Sequence, residues 1–305
     1  MRVLYMGTPD IAAECLRALL DEGIDVRAVF TQPDKPKGRG MKLTPSPVKV
    51  LAMERGIEVL QPTRLKKCGD ILERIDPELI VVAAYGRILP KLILDYPKYG
   101  AVNMHASLLP RHRGSAPIQR AIAMGDTVGG VTSMYMAEEL DTGDMIFRAE
   151  TPITDEDTGG SLHDRYAKMG GEILVKTIRA IEAGTAPRTP QPEEGITYAP
   201  PITKEECRVD FTRSAREVFN LIRAMNPVPA AFTIYNGAPM KLYASIIGNT
   251  KGEAGTVVST NNGGIEIACG DGSVIITDLA AAGGKRMSAD AWLRGHKIEL
   301  GTKLG

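Results

Sequence analysis

The sequence predicts an α/β protein in two parts: a mostly parallel sheet covered by helices on both faces, then a small β-barrel. Three observations carry this. The first half alternates helical patterns with short runs that are apolar throughout, the signature of parallel strands buried on both sides. A stretch rich in Pro, Glu, Gly and Thr then interrupts the periodicity. After it come one helix and five short β-type runs separated by glycine turns, at the spacing of a small closed barrel, of which the OB type is one possibility. The 305 residues also exceed what one core usually holds together, so two domains are expected.

In order, Val3 to Met6 is a strand ending at Gly7-Thr8-Pro9-Asp10, and a helical pattern follows to Leu20. Val26 to Phe30 is the next strand, Val48 to Arg55 a helix, Ile57 to Leu60 a strand and Asp70 to Ile75 a helix. Leu79 to Ala84 is fully apolar, bounded by Pro77 and Gly86, and Ala101 to Met104 is a further strand. Val131 to Met136 and Met145 to Glu150 resemble a late antiparallel extension, and Ser161 to Ala183 is a long helix stopped by Gly184 and Pro187. The composition changes from Pro187 to Pro201, the interdomain linker. Beyond it stand the helix Ser214 to Met225 and the runs Ala231 to Tyr235, Lys241 to Ile247, Gly255 to Ser259, Ile265 to Ala268 and Val274 to Leu279. The domain bounds are taken as 1–189, a linker over 190–206, and 207–305.

Charge and composition exclude several classes. With 37 basic and 37 acidic residues the chain has no global attraction to nucleic acid, so such contacts require a local patch. The four cysteines, Cys15, Cys68, Cys207 and Cys269, are far apart and read as reduced core thiols of a cytoplasmic protein. Met1-Arg2 leads straight into a short apolar run without the sections of a signal peptide, and no run approaches a membrane span. No His/Cys cluster has metal-ligand spacing, so no metal is expected.

Four segments carry candidate chemistry. Gly7-Thr8-Pro9-Asp10 lacks dinucleotide-binding spacing and reads as a tight turn, with Pro9 opening the helix and Thr8 capping it. Asn103 and His105 stand two apart at the end of a strand and therefore on one side of it, at the edge where open α/β sheets keep their ligands. Leu140-Asp141-Thr142-Gly143-Asp144 admits two readings. It is a β-turn with Gly143 where positive φ is needed, or it brings Asp141 to His105 to fix the tautomer and charge of the ring. Thr31 to Lys42, continuing to Pro47, is rich in Lys, Arg, Pro and Gly; it is either a solvated loop or one that orders on phosphate.

Asn103-x-His105-x-Ser107-Leu108-Leu109-Pro110-x-x-Arg113-Gly114, followed by Leu140-Asp141-Thr142-Gly143, resembles the signature of the folate-dependent formyltransferase family. Gly7 to Asp10, the loop from Gln32-Pro33-Asp34 to Gly38-Arg39-Gly40, and Ala116-Pro117-Ile118-Gln119 resemble the members acting on methionyl-tRNA, and the resemblance covers nearly the whole chain. One departure is Val228 between Pro227 and Pro229, where an aromatic residue is common. The resemblance implies a Rossmann-like domain binding 10-formyltetrahydrofolate as co-substrate and an OB-like domain that helps hold tRNA. It implies Asn103, His105 and Asp141 as the catalytic trio and Ser107, Leu108, Leu109 and Pro110 as lining of the folate site. Arg87, Ile88 and Leu89 would meet the pterin, and Lys35, Lys37, Arg39 and Lys42 the acceptor stem. The partners implied are folate and initiator methionyl-tRNA, in translation initiation, for a monomer that meets no membrane.

Formyl transfer to an amine is acyl transfer through a tetrahedral oxyanion. Asn103 and a protonated His105 would donate to that oxyanion, one good donor being worth about 3 kcal/mol. Asp141 would tune and orient His105 and take the proton leaving the amine, directly or through water. Two rival readings remain: a related formyltransferase acting on a small amine, and a non-catalytic nucleic-acid binder using Lys241, Lys251, Lys285, Arg286, Arg294 and Lys297 of the barrel.

Overall fold

The computed structural model describes residues 1–37, 41–261 and 263–305, with only the backbone at Lys37 and Lys42. The elements up to the first sheet's centre are β1 (Val3–Gly7), α1 (Asp10–Asp21), β2 (Val26–Phe30), β3 (Lys35–Lys37), β4 (Lys42–Thr44), α2 (Pro47–Glu54) and β5 (Glu58–Leu60). There follow α3 (Gly69–Ile75), β6 (Leu79–Ala83), α4 (Lys91–Leu94), β7 (Ala101–His105), α5 (Pro117–Ala123), β8 (Val128–Tyr135), β9 (Met145–Pro152) and α6 (Gly159–Glu182). The last part contains α7 (Ala215–Met225), β10 (Ala231–Tyr235), β11 (Ala238–Gly248), β12 (Val257–Ser259), β13 (Ile265–Ala268), β14 (Ser273–Ala280), β15 (Met287–Ser288) and α8 (Ala289–Leu293).

The chain divides into two compact units: Met1–Gly114 with Val128–Thr151 and His163–Tyr198, and Ser115–Thr127 with Pro152–Leu162 and Ala199–Gly305. The first is built on a sheet of order β5-β2-β1-β6-β7-β8-β9. Its first five strands are parallel, and β8 runs antiparallel to β7. Alternation along each strand gives the sheet two apolar faces. Leu4 and Met6 of β1 and Ile80 and Val82 of β6 pack with Leu72 and Ile75 of α3 and Ile93 of α4. Tyr5 points the other way, its hydroxyl donating to the Ala12 carbonyl of α1. Met104 also faces that side, against Gly170 of α6.

Two expectations change here. Thr8 does not cap α1, which starts at Asp10 after an uncapped Pro9. The Thr8 hydroxyl instead donates to the Tyr85 carbonyl (3.1 Å) and accepts from Gln32 N (3.4 Å), tying together the ends of β1, β2 and β6. The basic segment is a ribbon as well as a loop: Lys35 pairs with Thr44 and Lys37 with Lys42. Its base is fastened by Lys49, which donates to both Asp34 carboxylate oxygens and to Gln61. The Lys49 and Gln61 hydrogen bonds hold the Asp34 carboxyl below its usual range.

The second unit carries the antiparallel sheet β10-β11-β14-β13-β12, with β15 added to β14. It curls as a half-barrel of the OB-like kind. Its two end strands are covered by short bridges, Phe232 to Arg208 on β10 and Thr256 to Lys303 beside β12. Covering an edge in this way removes a row of unpaired backbone groups. Helix α7 opens with a capping box formed by Ser214 and Glu217.

Arg120 of α5 holds Glu206 through Nη1 (2.6 Å) and Nη2 (3.2 Å), and Thr203 N donates to the same carboxylate. Arg120 first, and then Thr203 N, push the Glu206 carboxyl from 4.5 down to about 2. A depressed carboxyl stabilises the fold fully above its unfolded value and loses that contribution as pH falls towards its folded value. The Glu206 side chain is 39% exposed, so screening limits the effect to about 1 kcal/mol or less. Glu206→Gln should therefore lower stability at pH 7 by that order, and the gap to wild type should close between pH 4.5 and about 2. Denaturant titrations across that range test it; a gap that stays constant refutes the assignment.

Candidate active site

Strand β7 brings two polar residues to the carboxyl end of the parallel strands. Ala101, Asn103 and His105 share one face by alternation, and Ala101 belongs to the core cluster beneath α3 and α4. Asn103 is half-buried, and its side-chain amide hydrogen-bonds to no other described residue.

The His105 ring is buried and held at both nitrogens. Nε2 lies 2.9 Å from the His112 carbonyl oxygen, which can only accept, so Nε2 carries a hydrogen. Nδ1 lies 3.6 Å from Oδ2 of Asp141, outside hydrogen-bond length and within ion-pair reach. The same Asp141 oxygen accepts from Gly114 N at 2.8 Å. The Asp-Thr-Gly segment is a turn at Leu140 and Asp141, and it also brings the Asp141 carboxylate within ion-pair reach of His105.

The turn geometry differs from expectation. The left-handed residue is Asp141 itself, at φ 54°, and Gly143 is not among the glycines of positive φ. Asp tolerates that region better than most residues. Gly143 is needed for another reason: a Cβ there would overlap the Tyr135 carbonyl of β8.

The stretch expected to be a linker runs through this site. Thr189 exchanges both backbone hydrogen bonds with Met145 (2.8 and 3.0 Å). Thr197 accepts from His112 N through its hydroxyl (2.8 Å) and from Arg113 N through its carbonyl (2.9 Å). Between them, Gln191 accepts from Arg113 and donates to the carbonyls of Asp141 and Gly143. Gln191 and Thr197 are not legible in the sequence because their side-chain contacts span 48 to 85 residues of chain. The one local signal for Gln191 is a proline on each side.

Residues 1–178 match the family described as "Formyl transferase" and residues 201–297 its companion "Formyl transferase, C-terminal domain". The chain belongs to the formyl transferase family. A relative named methionyl-tRNA formyltransferase in Magnetococcus marinus is 47% identical over 307 residues, covering 100% of this chain and 98% of the relative. One of the same name in Clostridioides difficile is 44% identical over 309 residues, covering 100% of both. Among solved structures, HypX from Aquifex aeolicus in complex with tetrahydrofolic acid superposes with a TM-score of 0.65 at 19% identity, over 99% of this chain. The chain spans 50% of the length of HypX, so that likeness carries the fold alone.

Ser107 is buried and donates to the Arg111 carbonyl at 2.6 Å, and Leu109 N donates to the Thr132 hydroxyl of β8 at 3.2 Å. Leu108 is half-buried, while Leu109 and Pro110 are buried. After β6, Arg87 donates to the carbonyls of Pro62 and Thr63 (3.1 Å each), and Ile88 is 88% exposed. Leu89 turns inward to the core cluster, so its side chain anchors this loop. Lys35 is exposed on the ribbon. Arg39 lies outside the described residues, as do the side chains of Lys37 and Lys42.

Proposed function

We propose that this chain transfers the formyl group of 10-formyltetrahydrofolate to the α-amino group of initiator methionyl-tRNA, working as a cytoplasmic monomer. The observation that carries the chemistry is the uncommitted Asn103 amide beside a His105 ring held between the His112 carbonyl and Asp141. The acceptor is carried by full-length likeness to relatives named for methionyl-tRNA. Residues 1–189 would supply folate binding and the catalytic trio, 190–206 the connection together with Gln191 and Thr197 that buttress the site, and 207–305 additional hold on tRNA. An exposed apolar Ile88 beside the strand ends suits the ring of a pterin.

The amine attacks the formyl carbon, and the carbonyl oxygen becomes an oxyanion. The Asn103 N–H groups stabilise it. His105 joins them by exchanging the His112 carbonyl for the developing oxyanion, a partner of full negative charge. Asp141, 3.6 Å from the ring, holds the positive imidazolium in place and takes the amine proton directly or through water. The bond from the formyl carbon to the folate nitrogen then breaks as Asp141 returns that proton, directly or through water, to the departing nitrogen.

Incubation with methionyl-tRNA and 10-formyltetrahydrofolate should block the methionyl amine. Formylation of an amino sugar or amino nucleotide with no blocked tRNA would transfer the reading to a small acceptor. The basic ribbon separates these cases further. Arg39→Ala with Lys42→Ala should weaken tRNA use and leave folate binding unchanged. Removing each phosphate-binding cation should flatten the log–log salt dependence by about 0.7 to 0.9. An unaltered salt slope and unaltered catalytic efficiency would assign the ribbon no part in tRNA binding.

A further inference from the structure

We infer that Gln191 is a positioning residue of the acyl-transfer site, acting through the backbone of Asp141; the inference rests on the catalytic reading of His105 and Asp141. The Gln191 amide is fully used. Its oxygen accepts from Arg113 Nε (3.0 Å) and Nη2 (2.8 Å), and its nitrogen donates to the carbonyls of Asp141 (2.8 Å) and Gly143 (2.9 Å). A guanidinium only donates and a carbonyl only accepts, so these neighbours admit one orientation of the amide.

The four bonds join the two loops that define the His105 environment. Arg113 lies between His112, whose carbonyl accepts from the ring, and Gly114, whose N–H donates to Asp141. Asp141 and Gly143 belong to the loop that brings the carboxylate to the other ring nitrogen. Gln191 holds the backbone of one loop and the side chain of the other. Asp141 stands in the left-handed region, a conformation that persists where surrounding contacts over-determine it. The bond to its own carbonyl is such a contact.

The segment is built to present this side chain. Pro190 and Pro192 bias the backbone of Pro190-Gln191 towards an extended form, and Thr189 is pinned to Met145. A displacement of about 1 Å in a catalytic group can cost about a hundredfold in rate. The hydrogen bonds of Gln191 go to Arg113 and to the carbonyls of Asp141 and Gly143 and not to His105, Asn103 or the Asp141 carboxylate, so its contribution should appear in kcat and not in substrate affinity.

The test is a double-mutant cycle under saturating methionyl-tRNA and 10-formyltetrahydrofolate. Gln191→Leu removes all four bonds. Gln191→Glu keeps the Arg113 pairing but sets a negative oxygen against two carbonyl oxygens. Each should lower kcat by about 10- to 100-fold with both KM values within about twofold. In an Asp141→Asn background either should cost less than about threefold more, because the group that Gln191 places has already lost its charge. If Gln191→Leu does not fold, Gln191→Glu reads the same cycle. Wild-type kcat in a folded Gln191 variant overturns the inference while leaving the trio in place. Equal losses in both backgrounds also overturn it, by making the effect independent of Asp141. Wild-type kcat in Asp141→Asn alone removes the parent reading instead.

Discussion

His105→Ala should lower kcat for formyl transfer by about two to four orders of magnitude under saturating substrates. The ring links the strand end carrying Asn103 to both the 112–114 loop and the Asp141 carboxylate. Its loss removes an oxyanion donor and leaves Asp141 without the cation that it orients. Stability should also fall, because His105 is 6% exposed and its removal deletes a buried hydrogen bond to the His112 carbonyl. That cost is about 1 to 3 kcal/mol, so turnover must be measured well below the unfolding midpoint of the variant. Asn103→Ala makes the contrast. Its amide bonds to no other described residue, so kcat should fall by about a hundredfold or more with little change in melting temperature. If His105→Ala stays within about threefold of wild-type kcat, the ring is structural and the trio is wrong.

Gly143→Ala should be the most damaging single methyl group that can be added near the site. Its Cβ would overlap the Tyr135 carbonyl oxygen and lie 2.8 Å from the Tyr135 carbonyl carbon, both of them backbone atoms of β8. Tyr135 cannot retreat freely, since its N–H donates to the Asp144 carbonyl at 2.9 Å. The loop must move instead, at a cost of about 3 kcal/mol. It carries with it the Asp141 carboxylate and the two carbonyls that Gln191 holds, so kcat should drop by more than about a hundredfold. Gly143→Asn separates the two physical causes. A turn that demanded only positive φ would tolerate Asn better than Ala, whereas close approach to β8 rejects both. Denaturant midpoints and kcat for the pair decide it. Tolerance of Asn with rejection of Ala would restore the dihedral explanation.

Local sequence was enough to specify the elements and their faces. Apolar runs at 3–6 and 79–84, and one at 26–30 broken only by the exposed Arg27, specified parallel strands because burial on both sides leaves few polar positions. Alternation then placed Asn103 and His105 on one side of β7, since the pleat repeats every two residues. The formyl transferase signature was equally legible, because its residues lie within short segments. Contacts between chain segments far apart in sequence followed only from packing. His105 meets Asp141 only because the loop after β8 folds back towards the end of β7. Gly143 is required by the backbone of a neighbouring strand, and no φ preference in its own tetrapeptide announces that. Leu89 turns into the core although its neighbour Ile88 is exposed. Gln191 looked like part of a spacer because composition reports how a backbone behaves alone. Its four hydrogen bonds depend on partners 48 to 78 residues away, whose positions exist only once the sheet has formed. Periodicity is a local property of the chain, whereas hydrogen-bond complementarity between distant loops is a property of the packed fold.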